Sequence, residues 1–256
     1  MKKIVNILLS FAMAFTIFML GICITASTII SEPFLNGVIK ISDYVKNVEP
    51  EIADSLQSLT IPIGLPDDFF DDKVHTEYVE KTLKECIDAA VNRKTYDMPT
   101  AEIEELIVKD LKAYAKETGI EVDEKTEESL KHTASVCAKY YINFTFAIFY
   151  RIIKHLGGVS LIMLIASILL LAVLAFMYYL LKGKKELVYA LLGGGLMLIT
   201  PIIFIITGKA YHWAIASAAL LQVVYTFISF TIAIPVILGV VFFVLGIILA
   251  RKHIKQ

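Results

Sequence analysis

The sequence predicts an all-α polytopic membrane protein, with four transmembrane helices and a helical extracytoplasmic domain between the first and second. Three observations predict it. Hydrophobic residues make up 57% of the 256 positions and the mean hydropathy is +0.70, too apolar for an ordinary soluble globule. The apolar residues gather in four blocks, 4–30, 159–181, 187–207 and 213–250, and charge-free runs of about 18 residues or more read as membrane helices. The region between the first two blocks is charged and has helical rather than alternating periodicity. The chain divides accordingly into a first span (1–30), an external domain (31–157), and three further spans with short loops and a basic C-terminus (158–256).

Charge sets the orientation. The net charge is −1, yet the short flanks of the blocks hold Lys2, Lys3, Lys182, Lys184, Lys185, Arg251, Lys252 and Lys255 against the single acid Glu186. Region 31–157 holds 15 basic and 24 acidic residues, a net charge of −9. Lysine and arginine close to membrane ends favour the cytoplasmic side. Four spans with both termini cytoplasmic put every basic flank on one side, and leave the acidic region and the 208–212 turn, with Lys209, outside. This is a multi-pass membrane arrangement, with the lipid bilayer as its first partner.

The first block passes Cys23 and Ser31-Glu32-Pro33. A lipid-attachment cysteine wants a small residue before it, and Ile22 is bulky. A signal peptide has an apolar core of about 7–15 residues, whereas this run extends from Ile4 to Ile30, so a retained and somewhat tilted span is expected.

Helix signals then follow in order. Phe34, Leu35, Val38, Ile41, Val45 and Val48 suggest one helix continuing out of the first span, and Pro50 suits the first turn of a short helix bearing Ile52, Leu56 and Leu59. Two prolines and a glycine make 61–66 a loop. Val79, Leu83, Cys86, Ile87 and Ala90 form one buried stripe. Ile103, Ile107, Leu111, Tyr114 and Ala115 form another, with Glu102, Glu104 and Glu105 near its start and Gly119 as its stop. The last external helix begins near Asp123, carries Leu130, Val136, Cys137, Tyr140, Tyr141 and Phe144, and is expected to run to a break at Gly157-Gly158. Its aromatic end, Tyr140 to Tyr150 with Phe146 and Phe149, suits a membrane interface.

The fourth block is 38 residues, about 57 Å as one helix and nearly twice the hydrocarbon thickness. A hairpin of two spans would carry Arg251 and Lys252 outside. The sequence therefore favours 213–225, with Trp213, lying at the outer surface or on the external domain, and a span at 228–250 bent at Pro235. A separate span at 213–225 stays open as the alternative.

Candidate chemistry is sparse. Cys86 and Cys137 sit on stripes of two helices, where they form either one disulfide in an oxidising compartment or two buried thiols. Asp68, Asp71, Asp72 and His75 are weak candidates for a cation, because on a helix they would share a face; ordinary helix-start carboxylates are the simpler reading, and no metal is expected. In the third span Gly193, Gly194, Gly195 and Pro201 point to close helix packing or a bend. The ranges 159–181, 187–207 and 210–250 contain no Asp, Glu, Lys or Arg, which speaks against a proton-coupled carrier. No nucleophile elbow, phosphate loop, HExxH or paired CxxC is present, so no catalytic or cofactor-binding residue is expected. The histidines 75, 132, 155, 212 and 253 are scattered. Asn143-Phe144-Thr145 fits a glycosylation sequon beside the membrane. An acidic polar region does not suit nucleic acid.

A lysine-led first span, a Gly64-Leu65-Pro66 loop, the run Tyr78-Val79-Glu80-Lys81-Thr82-Leu83 and three closing spans together resemble a group of uncharacterised four-span membrane proteins of low-GC Gram-positive bacteria. The resemblance implies a bacterial plasma membrane and brings no catalytic residues. The expected function is that of a non-enzymatic cell-envelope protein whose external helical domain binds or senses a partner protein or an envelope component. The alternative is a channel or transporter component with an uncharged transmembrane path.

Overall fold

The computed structural model describes residues 2–144, 147–181, 184–207, 215 and 217–254. Among these, every regular element is a helix: α1 (Lys2–Ile29), α2 (Glu32–Ile41), α3 (Tyr44–Thr60), α4 (Thr76–Val91), α5 (Thr100–Glu117), α6 (Glu124–Phe144), α7 (Ala147–Leu181), α8 (Lys184–Ile199), α9 (Ile202–Ile206) and α10 (Ala218–Ile254). Three stretches are long and apolar enough to cross a membrane: Ile4–Ile29, Leu161–Tyr179 and Ala218–Arg251. The chain forms two compact units. One comprises 1–34, 156–214 and 224–256; the other comprises 35–155 together with 215–223.

In the helical unit of 35–155, the periodic stripes become the core. Val48, Ile52 and Leu56 of α3, Val79, Leu83, Cys86, Ile87 and Ala90 of α4, and Ile103, Ile107, Leu111 and Ala115 of α5 are all buried. On α6 the buried seam is Ala134, Cys137, Ala138 and Tyr141, while Tyr140 is exposed. Burial of such side chains contributes about 25 cal/mol per Å² of apolar surface removed from water. Phe69 and Phe70 close one end, with Phe69 meeting Phe70 at 4.8 Å and Tyr114 at 5.3 Å between ring centroids. The 61–66 segment, expected as a loop, opens with one 3-10 turn at Ile61–Ile63. Gly64 ends that turn with φ +95° and Gly119 ends the α5 region with φ +72°, left-handed conformations that only glycine adopts at no cost. Ion pairs at 2.8–2.9 Å join Lys81 to Glu102 and Lys112 to Glu127, but both are half-exposed and contribute little.

Residues 215–223 belong to this same unit. The Glu51 carboxylate on α3 accepts a hydrogen bond from the Ala219 N–H at 3.0 Å, and the Asn47 amide donates to the Gln222 side chain at 3.0 Å. A carboxylate from a neighbouring helix thus satisfies one of the open N–H groups at the start of α10 and complements its dipole.

The membrane-type unit is built on close packing. Met13 and Ile17 of α1 and Ala190 of α8 form its centre, with Leu174 and Met177 of α7, Leu187 and Leu191 of α8 and Phe242 of α10 against them. Phe34 meets Phe227 and Phe230 edge-on at 5.9 and 6.1 Å. By contrast the apolar window of α7 at 161–179 is only 6% buried, an apolar surface on all sides that suits lipid.

Four expectations are corrected. The helix leaving the first span does not run on to Val48. Asp43 takes a left-handed conformation (φ +48°), and the chain restarts as α3. Aspartate is among the few non-glycine residues that tolerate it. Pro50 is not at a first turn but seven residues into α3. Its ring faces solvent, and its cost of about 3 kcal/mol is offset by the buried Val48–Ile52–Leu56 stripe on the other side. Gly157-Gly158 does not break the chain, since α7 runs through it from Ala147 to Leu181; glycine in a helix interior costs only about 1 kcal/mol, which a long apolar helix outweighs. The fourth block is one helix from Ala218 onward, without an interruption near 225–228 and with Pro235 inside it. Trp213, Lys209, Lys182 and Lys255 lie outside the described residues.

The third block shows what its proline does. α8 stops at Ile199, Thr200-Pro201 form a turn, and α9 resumes at Ile202. Pro201 has no N–H to give and disfavours the helical conformation of Thr200, whose hydroxyl instead donates to the Met197 carbonyl at 2.7 Å.

Candidate functional site

The residues singled out in the sequence fall in three places. Asp68, Asp71 and Asp72 lie on consecutive turns rather than on a helix. Asp71 accepts a hydrogen bond from the Gln57 amide at 2.6 Å, and Lys73 sits 3.4 Å from Asp72 and over the Phe69 ring. His75 turns away from them: its Nε2 lies 2.9 Å from an Asp110 carboxylate oxygen on α5, and its backbone N–H donates to the Tyr141 hydroxyl. The four do not converge, and no group of three or more His, Cys, Asp or Glu suited to a metal occurs among the described residues.

Cys86 and Cys137 are free, buried thiols in this structure, each packed into its own stripe. Burial pushes both up to about 11, so the thiolate is scarce at neutral pH. In the folded protein at pH 8, maleimide should modify either one roughly a hundredfold more slowly than a free cysteine, and counting modified thiols by mass spectrometry checks this. Rapid modification of either thiol would contradict the burial. Protection that persists after denaturation without reductant would reveal a disulfide instead.

Gly193, Gly194 and Gly195 face two helices. A side chain on Gly194 would meet Ile17 and the Ala14 carbonyl of α1, and one on Gly195 would meet the Gly239 carbonyl and the Phe243 N–H of α10. The glycines let backbones touch, which is the usual packing device where no hydrophobic effect drives helices together. Five of the described span hydroxyls bond to their own helices: Thr16 donates to Ala12, Thr25 to Gly21, Thr28 to Ile24, Ser167 to Met163 and Thr231 to Phe227, all at 2.8 Å. The sequon falls on residues outside the described side chains, with Thr145 outside the described residues altogether.

Sequence reasoning missed a cleft of about 590 Å³ in the helical unit. α2 supplies Asn36, Gly37, Ile39 and Lys40; the turn and first part of α3 supply Asp43, Tyr44, Val45, Lys46 and Glu49; α4 supplies Thr76, Glu80, Leu83 and Lys84. Lys84 is paired with Glu80 at 2.6 Å. Burial, and then the Glu51 charge, hold the Tyr44 phenol well above its ordinary value, so it stays a neutral hydroxyl. The turn beneath is held firmly: the Ser42 N–H donates to Val38, the Asp43 N–H to Lys40, the Ser42 hydroxyl to Ile39 and the Asn47 amide to the Ser42 carbonyl. The volume lies within the roughly 300–1,000 Å³ of small-molecule sites. No sequence signal marks it, because its residues come from three helices and none is of an unusual type. No family model matches this chain, and no characterised protein or solved structure matches it.

Proposed function

We propose that this chain is a non-enzymatic, multi-pass protein of the plasma membrane whose external helical domain binds or senses a partner or envelope component. One observation carries the reading: the helical unit has a buried core and, beside a hydrogen-bonded turn, a charged cleft of a volume suited to a ligand. An anchoring role is supported by the membrane-type unit's glycines, which serve helix packing, and by Thr16, Ser167 and Thr231, whose hydroxyls bond to their own helices. In this reading α8 and α9 together form the third of four spans. From Leu187 to Ile206 they cover 20 residues, about 30 Å at 1.5 Å per residue, bent at Thr200-Pro201. Both termini are then cytoplasmic and the net −9 region lies outside.

A reporter active only in the cytoplasm tests the topology. Fused after Lys94 it should be silent, and fused after Ile254 it should be active. Activity at Lys94 would overturn the placement of the domain. Photo-crosslinking from Glu77, exposed on α4 of the full chain in its native membrane, tests the binding reading. A discrete adduct is expected, whereas solute flux through the reconstituted protein without any adduct would favour an uncharged path through the spans.

A further inference from the structure

We propose that the cleft of the helical unit binds a short zwitterionic peptide with free termini, its carboxylate held by Lys40 and Lys46 and its ammonium by Asp43 and Glu49. This rests on the reading of that unit as the binding part of the protein and names its ligand class.

Charge complementarity carries the inference. The cleft is lined by three lysines and three carboxylates. Lys84 and Glu80 neutralise each other at 2.6 Å, leaving two groups of each sign. Among the described residues, Lys40, Lys46, Asp43 and Glu49 have no side-chain ion pair. A simple anion entering here would meet two carboxylates, and a simple cation would meet two ammonium groups. A ligand bearing both signs finds an attractive partner for each of its charges.

Size and floor narrow the class. A single amino acid would leave most of about 590 Å³ unfilled. Ile39 and Val45, both half-buried, supply apolar surface in the same cleft above the buried Leu83, which suits side chains carried between charged groups and not a compact polar headgroup. Three residues extended reach about 10 Å, a span that lets opposite termini find separate charged partners. The site is also preorganised. The left-handed Asp43 is locked by the hydrogen bonds of the 38–47 turn, so little ordering remains to oppose binding.

The test uses the full chain in detergent micelles, with trialanine as probe and N-acetyl-trialanine amide as its uncharged-end counterpart. Calorimetry or saturation-transfer NMR should show trialanine binding, with capping weakening it by about tenfold or more through loss of the charge-assisted hydrogen bonds. The double variant Lys40→Glu/Lys46→Glu should abolish binding, and Glu49→Gln should weaken it. Lys40 and Lys46 are exposed, so the fold survives, and an unchanged melting curve verifies this. Lys125→Glu, outside the cleft, makes the same kind of charge change and should leave binding intact. Equal binding of free and capped peptide, retention by the double variant, or no binding to the native chain would each overturn the proposal. If trialanine fails while the Glu77 crosslink still gives a discrete adduct, the ligand class is wrong and the binding reading stands. Loss of both removes the binding reading itself.

Discussion

Gly195→Val should disrupt the membrane-type unit, lowering the melting temperature by about 10 °C or abolishing accumulation of the protein, on the basis of an over-packing cost of about 3 kcal/mol or more. A Cβ at Gly195 would lie 2.7 Å from the Gly239 carbonyl oxygen and 2.9 Å from the Phe243 nitrogen. Both are backbone atoms, which cannot rotate aside as the end of a side chain can. Retreat of α8 is blocked as well, because on its other side Gly194 already sits against Ile17 and the Ala14 carbonyl, where a Cβ would come within 2.7–2.9 Å. α8 is clamped between α1 and α10 at adjacent residues. Gly193→Ala makes the informative comparison. Its Cβ would meet only the Ala14 Cβ at 3.4 Å, an ordinary van der Waals contact, so the change should be nearly silent. Gly37→Ala, with nothing within 4 Å, should be silent in packing terms too. Thermal unfolding of the four proteins in one detergent decides the matter. Similar melting of the Gly195 and Gly193 variants would mean that the helices do not meet as described.

What the sequence revealed and what it hid follow from the range of the physics involved. The α4 and α5 stripes were legible because large aliphatic side chains repeat at helical spacing, and all of them are buried. Gly119 was legible because a left-handed stop favours glycine. On α6 the sequence marked Cys137 and Tyr141, both buried on the seam, but not its small residues. Val136 and Tyr140 drew attention as apolar residues, yet the seam runs through Ala134 and Ala138, small residues that let helices approach and that a hydrophobicity pattern underweights. The left-handed turn at Asp43 was invisible, since aspartate is equally at home in a helix start or a loop. That turn is what bends α2 away from α3 and opens the cleft. The cleft could not be read locally, because Lys40, Glu49 and Leu83 meet only after three helices have packed. Likewise Gly195 was recognisable as a packing glycine, but its partner Gly239, 44 residues on, was not.

Replacing Tyr141 should separate two contributions to the core of the helical unit. Tyr141 is fully buried and among the largest such side chains, with its ring edge-on to Tyr78 at 6.1 Å between centroids. Its hydroxyl accepts the backbone N–H of His75, the residue that precedes α4. Burial raises the phenol well above its ordinary value, so the group is a neutral hydroxyl throughout the usable pH range. Tyr141→Ala leaves a cavity where α4 and α6 meet, at a cost of about 3–5 kcal/mol. Tyr141→Phe keeps the ring and removes the hydroxyl, leaving the His75 N–H without that partner at a cost of about 1–3 kcal/mol. The two variants also differ in where they act. The loss of the hydroxyl is felt first at the α4 N-terminus, so hydrogen exchange should quicken at residues 75–79 while α5 stays protected. The cavity loosens the whole unit, and exchange should quicken through α4, α5 and α6 together. An equal loss of stability in both variants would assign the residue's contribution to the hydroxyl alone. No loss in Tyr141→Phe would place it entirely in the ring.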